Sequence, residues 1–457
     1  MKKVLYGLLI VLMLSVLMVP AALAVDPTTD PAYSSIQVLN LGAADASITI
    51  YYYNQDGSES VAAVTDTVKV GESNTYFPVH AADGFNGSVV ISSSEEIAVI
   101  SNILYVGNPS VQASWSGFSD DDAAAVIRFP LIMKGNNSNY TTFNVQNITG
   151  SPVDILIEFT AEPGAGYGAI ANVTDKIPAW SAHTYDQNTM AEFAGVAKWV
   201  GSAKVSVQGA GEIVGVAQQI DTARKTGTAY NAFLAGSATV DMPLIMKENN
   251  NMWTSINCQN LGPGPTDVRV DFVPESGYPA LAAETKTGVA ENGTAVFIQY
   301  GGTKWVGAAT VSNSAGNQLA CIGNQTNLVK FYASAYEGFE AAMATDTVVV
   351  PLVQFQPQAD GALWTSINIK NLGATATTVT VDFKPAPGFT DVANYTVDIA
   401  AGAVGVVLFY DPYGNGAKAI GGAEVSSGNA MSLAVVANQQ KVNYAGDIYS
   451  TYNGFAR

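Results

Sequence analysis

Apolar and polar residues alternate in short runs along this chain. In DVRVDF, Val268, Val270 and Phe272 fall on one side and Asp267, Arg269 and Asp271 on the other. This period of two marks a strand with one face in a core and the other in water. The pattern recurs in ASITIYY from Ala46, VDILIEF from Val153 and TVTVDF from Thr378. Turn signals such as Asn54-Gln55-Asp56-Gly57 and Asn415-Gly416 separate the runs. Strands of this length joined by Gly, Asn and Pro loops predict two packed antiparallel sheets.

The strands come in a repeated order. PLIMKENNNMWTSINCQNLG, from Pro243 to Gly262, has a close relative from Pro351 to Gly373 and a looser one from Pro130 to Gly150. A shortened copy, SSIQVLNLG, runs from Ser34 to Gly42. The asparagines Asn40, Asn147, Asn260 and Asn371 stand 107, 113 and 111 residues apart. Each copy then continues through an alternating strand, a Gly-small strand, an apolar run ending on amides (IAVISN, IVGVAQQ, LACIGNQ, LAVVANQ) and an aromatic phrase (WSGF, YNAF, YEGF, YNGF). Five ordered features at one period identify a repeat, and its length is that of a β-sandwich. The expected architecture is all-β: four tandem immunoglobulin-like antiparallel sandwiches at 25–119, 125–235, 239–340 and 346–457, after a cleaved signal peptide at 1–24. Short linkers at Ser119-Asp120-Asp121-Asp122, Leu234-Ala235-Gly236-Ser237 and Glu340-Ala341-Ala342-Met343 predict a semi-rigid row.

Within the repeat, Ile256 and Cys258 are expected to face the core while Asn257 and Gln259 face out. Asn260-Leu261-Gly262 then turns the chain, the Asn side chain capping the turn and the glycine serving a positive φ. The same structural turn is assigned to Asn40 with Gly42, to Asn147, and to Asn371 with Gly373. Pro243-Leu244 opens the unit at an edge position, where a missing N–H costs little. The loop Glu248-Asn249-Asn250-Asn251, where copies differ most, is the place to seek function.

The amino terminus reads as an export signal. Lys2 and Lys3 precede an apolar stretch from Val4 to about Pro20, and Ala22-Leu23-Ala24 offers a cleavage site. An uncleaved anchor is the alternative. The formal charge of −18 becomes −20 when the two lysines leave. Such acidity argues against nucleic acid and anionic membranes as partners and admits divalent cations bridging molecules. The export signal places the mature chain outside the cell or at its surface, with no integral membrane span expected in the mature form.

Little in the sequence points to catalysis. His80 and His183 occupy different places in their units, and neither has a metal-ligand spacing. No GxSxG or phosphate-loop phrase occurs. Cys258 and Cys321, the only cysteines, lie at core-facing strand positions of the third unit. After export they can bridge the two sheets of that sandwich, with buried thiols as the alternative. Asp120-Asp121-Asp122 raises calcium, although a solvated acidic linker explains it without a ligand pattern. Asn86, Asn136, Asn139, Asn147, Asn172, Asn292, Asn324 and Asn394 fit the glycan acceptor sequence. Of Tyr51-Tyr52-Tyr53 at least one points outward. Trp199 recurs as Trp305 and Trp253 as Trp364, which suits packing better than a unique sugar site.

The phrase P-L-[IV]-x-x…W-T-S-I-x-x-x-N-L-G, closed by Y-x-G-F, resembles a repeat of secreted and cell-surface bacterial proteins, notably Chloroflexota-like ones. The resemblance covers essentially the whole mature chain and implies extracellular display of β-sandwich modules, without an agreed activity. Unit one lacks the lead-in, and unit two carries Tyr140 for the tryptophan and Ile148-Thr149-Gly150 at the turn. The expected function is that of a non-catalytic structural or adhesive surface protein acting through sandwich contacts, with itself or with a cell-envelope polymer. The alternative is a carbohydrate-binding array on extracellular polysaccharide.

Overall fold

A computed structural model of the chain describes residues 32–105, 111–340, 345–359, 361–441, 447 and 449–456. The proposed signal segment and the linker residues Ala341, Ala342 and Met343 lie outside the described residues. The protein is all-β: antiparallel sheets, with two short 3-10 turns at Asp120–Asp122 and Ala191–Phe193.

The second repeat shows the plan. One sheet runs, in spatial order, Val173–Ile177, Val153–Ala161, Trp199–Val207, Val126–Lys134; the other runs Ala182–Asp186, Asn139–Asn147, Ile213–Asp221, Thr226–Asn231. Ile127, Phe129, Phe143, Val145, Ile155 and Val205 fill the space between them. The third repeat has the same order, with Phe339–Glu340 added at one edge. The first lacks the lead-in strand, leaving a three-stranded sheet on that side. In the fourth, pairing of Phe355 with Trp364 joins both layers into one nine-stranded sheet.

The recurrent phrases are packing devices. Where Pro130-Leu131, Pro243-Leu244 and Pro351-Leu352 fall, the register of the lead-in strand slips. A bulge tolerates proline and leaves the next residue unpaired. The tyrosine of the closing phrase satisfies that residue. The Tyr230 hydroxyl donates to the Leu131 carbonyl at 2.7 Å and accepts its N–H at 3.3 Å. The Tyr336 hydroxyl donates to the Leu244 carbonyl, and the Tyr452 hydroxyl both donates to the Leu352 carbonyl and accepts its N–H. The first unit, which has no Pro-Leu bulge, carries Trp115 there and needs no hydroxyl.

Each repeat asparagine is buried and works as a three-way clamp. Asn260 Nδ2 donates to the Gly264 and Val289 carbonyls, both at 2.9 Å, and its Oδ1 accepts the Gly262 N–H at 3.1 Å. Asn40 and Asn371 make the equivalent bonds to Gly42 and Gly373, and Asn147 clamps Thr149. The glycines correct the reading from sequence, because none of the three lies at positive φ. Their role is space: a Cβ there would lie 2.2 Å from Glu95, 2.4 Å from Asn317 and 2.4 Å from Met431.

Two further expectations give way. Asn257 and Gln259 do not meet water; they are 2% and 0% exposed, covered by the neighbouring unit. The cysteines are joined, but within one sheet rather than across two. Cys258 and Cys321 are register partners on adjacent strands, with Cα atoms 4.1 Å apart. Closing 63 residues of chain stabilises by about 4 kcal/mol in the entropy model. The same strand positions in unit four are Ile369 and Val435, so the fold does not require the bond. The double variant Cys258→Val/Cys321→Val should therefore melt at lower temperature than the oxidised chain yet keep its circular dichroism and solution size. Loss of folded signal at room temperature would refute this.

The units form a closed ring, not a row. Ala320, Ile322 and Ala335 of unit three belong to the core of unit two, and Ala434, Val436 and Tyr449 of unit four to the core of unit three. Ile100 of unit one completes the core of unit four. Leu261 and Leu372, from the Asn-Leu-Gly turns, pack into the preceding unit in the same way. The last strand of each unit (Val111–Ser116, Thr226–Asn231, Tyr332–Glu337, Tyr449–Asn453) touches the last strand of the next, and the fourth touches the first.

Candidate functional site

Two places concentrate chemistry, the axis of the ring and a groove between units two and three. At the axis, Asp447 is fully buried. Its carboxylate accepts N–H groups from Gly227 at 3.0 Å and Ala333 at 3.1 Å, and its own carbonyl accepts the Gln112 N–H at 2.9 Å. Gln112, Gly227 and Ala333 are equivalent residues, three before each closing aromatic, in units one, two and three. One residue of unit four thus receives a backbone donor from every other unit. Burial pushes the Asp447 pKa well above the carboxylate range, against the backbone donors that favour its charge. Sequence reading missed this residue. Its counterparts Lys225 and Phe331 share no chemistry with it, so the repeat gave no signal.

Around the axis, the second residues of the closing phrases interlock. Asn231 Nδ2 donates to the Ser116 carbonyl at 3.0 Å, and Asn453 Nδ2 to the Glu337 carbonyl at 2.9 Å. The Glu337 carboxylate accepts the Asn231 N–H. Burial raises the Glu337 pKa to about 7, the Asn231 hydrogen bond opposing it. A carboxyl whose folded pKa exceeds its unfolded value binds its proton more tightly in the folded state, so stability falls as pH rises from about 4.5 to about 7. The equivalent residues Asn231 and Asn453 are neutral amides. Glu337→Gln should flatten this slope and gain on the order of 1–3 kcal/mol at pH 8. Parallel pH–stability curves for the two proteins would contradict it.

The groove has a volume of about 370 Å³. Its floor is a reciprocal amide pair: Gln219 of unit two and Asn324 of unit three exchange two hydrogen bonds of 3.0 Å. One wall is unit two's copy of the variable loop (Asn136, Asn137, Asn139) with the hairpin residues Asp221 and Arg224, which form a 2.6 Å ion pair. The facing wall is unit three, with Trp253, Asn257 and Asn327. Trp253 meets Tyr300 edge-on at 5.5 Å, and its indole nitrogen has no protein partner.

The remaining candidates are structural. His183 lies between Asp175 (2.8 Å) and the Gln55 carbonyl of unit one (3.0 Å), at the first junction. Trp180, overlooked in the sequence, accepts the Ser88 hydroxyl there through its carbonyl at 2.6 Å. Asp122 caps Ser119 in its own exposed turn. Trp199 and Trp305 are buried, their indoles donating to the Gly168 and Pro279 carbonyls at 3.0 and 2.8 Å. Tyr52 is buried, while Tyr51 and Tyr53 stack on the outer face at 6.4 Å. Of the glycan acceptor sequences, Asn147 and Asn324 are buried and hydrogen-bonded in the fold.

No family model matches the chain, and no curated protein matches it. Among solved structures, a glycoside hydrolase family 32 structure from Bifidobacterium adolescentis aligns over 91% of this chain and 99% of its own, at 10% identity with a TM-score of 0.14. A likeness that weak carries no functional argument.

Proposed function

We propose that the chain is an exported, non-catalytic structural or adhesive protein of the cell surface, and that it acts as one rigid block through contacts made by its outer faces. The units are immunoglobulin-like in the broad sense of two packed antiparallel sheets, although their strand order departs from the ABED and CFG sheets of that fold. The observation that carries the reading is a pair of apolar edge strands at equivalent places. Thr294–Gln299 and Val404–Phe409 each pair on one side only. Ile298 on the first and Tyr300 just past its end are each 58% exposed, and Leu408 on the second and Tyr410 just past its end are 54% and 57% exposed. Open, apolar edges invite a strand from a second molecule, and apolar residues repeated on one face mark contact surfaces.

The test is assembly of the purified mature chain, with and without calcium, followed by light scattering and electron microscopy, alongside fractionation of the native source. Concentration-dependent oligomers that Leu408→Lys abolishes, together with recovery of the protein at the cell surface, support the reading. A monomer at every concentration, found free in the medium, would sink it. The alternative of a carbohydrate-binding array is favoured by one feature, the groove between units two and three.

A further inference from the structure

We propose that the groove between units two and three binds a neutral oligosaccharide segment, with Trp253 as its stacking platform and the amides of unit two's loop as its hydroxyl readers. The inference rests on the reading of the chain as a non-catalytic exported binding protein, but the two fail separately. Assembly and location test the block; the groove is tested by ligand.

Charge narrows the ligand first. The chain as a whole carries −18. Yet the ionisable side chains lining the groove balance: Glu162 and Asp221 against Lys198 and Arg224. Arg224 is tied to Asp221, so neither offers a free charge to a ligand. A neutral lining on an acidic protein selects against polyanions, which the rest of the surface repels, and gives no carboxylate cluster to a cation.

Hydrogen-bonding chemistry narrows it further. Asn136, Asn137 and Asn139 bring carboxamides to the groove from unit two, a side chain with both donor and acceptor atoms. A sugar hydroxyl also donates and accepts, so carboxamides are its natural complement. Trp253 adds the flat apolar face that the C–H side of a sugar ring requires. The volume is that of a small-molecule site and too small for a folded partner. The walls are preorganised by the floor pair Gln219 and Asn324 and by the bonds that hold unit two's loop, where the Arg224 guanidinium donates to the Asn137 carbonyl at 3.2 Å.

The groove adjoins the first of the two edge strands, where Ile298 lines it and Trp253 meets Tyr300, and is separate from the second. Trp364 is the repeat equivalent of Trp253 and packs on Tyr410 at 5.6 Å, but it lies outside the groove. The experiment screens the full mature chain against neutral and acidic glycans on an array, then measures affinity for the best neutral oligosaccharide by calorimetry and indole fluorescence. Binding to neutral glycans is expected, with at least tenfold loss in Trp253→Ala and no change in Trp364→Ala. Ser255→Tyr, which fills the groove from its wall, should abolish binding while leaving the thermal melt near wild type. Absence of binding to any neutral glycan, equal loss in Trp364→Ala, or retained affinity in Ser255→Tyr would overturn the proposal. Failure of these arms with intact assembly leaves the adhesive reading standing.

Discussion

Replacing Asp447 by alanine is expected to destabilise the folded chain by about 2–5 kcal/mol and to loosen unit four from the other three. The reason is local. The substitution leaves the Gly227 and Ala333 N–H groups at a buried axis without their acceptor, and an orphaned buried donor costs about 1–3 kcal/mol. Against this stands the cost of holding a carboxylate away from water, which alanine relieves. Burial favours the neutral acid, whose oxygens still accept both N–H groups, so at low pH the desolvation cost is small and the orphaning term dominates. Asp447→Asn keeps one acceptor oxygen but turns an NH2 group toward N–H donors, and should fall between. The sign of the pH effect follows from the raised pKa. Protonation is favoured in the folded state, so the wild type loses stability as pH climbs above the ordinary carboxylate range, whereas Asp447→Ala lacks that slope. Denaturant titrations at pH 4 and pH 8 measure both effects. An alanine variant as stable as wild type at both values would refute this role.

The second large effect is expected at Lys370, where unit four meets unit three. Its side chain is 2% exposed and pairs with Asp241 across the junction. It also donates to the Ala309 carbonyl at 3.0 Å and to the Thr310 hydroxyl at 2.7 Å. Burial lowers the Lys370 pKa and Asp241 resists the change. Removing one member of a buried pair costs about 3–5 kcal/mol, and the lower end applies here because Asp241 is 20% exposed and keeps the Thr310 hydroxyl. Lys370→Ala should lose that much. The double variant Lys370→Met/Asp241→Val should recover most of it, since apolar replacements of similar volume remove both desolvation costs. The ring supplies a precedent: at the closing junction the same two positions are Leu39 and Val349, which line one small cavity. A double variant no more stable than Lys370→Ala would show that the charges themselves hold the junction.

Much of the fold was legible because the repeat spacing and strand alternation report covalent neighbours and one-sided burial. Val268 and Val270 are fully buried and Arg269 is exposed, as the pattern requires. The failures share one physical cause. Alternation tells which side of a strand faces its own core, but it does not tell what covers the other side. Asn257 and Gln259 are polar and buried because a second unit covers them. The stronger signal lay in the unbroken apolar runs LACI and LAVV. Ala320 and Ile322 face unit two while Leu319 and Cys321 face their own core. A run apolar on both sides is a strand buried on both sides, and that is incompatible with beads in a row.

The site was less readable for a related reason. The loop Glu248-Asn249-Asn250-Asn251 singled out as variable lies outside the groove, and it is unit two's copy of that loop that lines it. Its partner wall comes from the next unit, so neither Trp253 nor Asn327 could be matched to it from spacing alone. Asp447 and Glu337 stand where their counterparts differ in chemistry. Their environments are created only when the four closing strands meet.

Ring closure is what every junction argument depends on, and small-angle X-ray scattering of the mature monomer measures it directly. Compact scaling and a ring of four sandwich-sized units give a radius of gyration of about 22–27 Å, whereas the same units in a row give about 40 Å. A value in the lower range that rises in Asp447→Ala is the predicted result. A wild-type value near 40 Å would contradict the closed ring and with it the assignment of Asp447 as its axial tie.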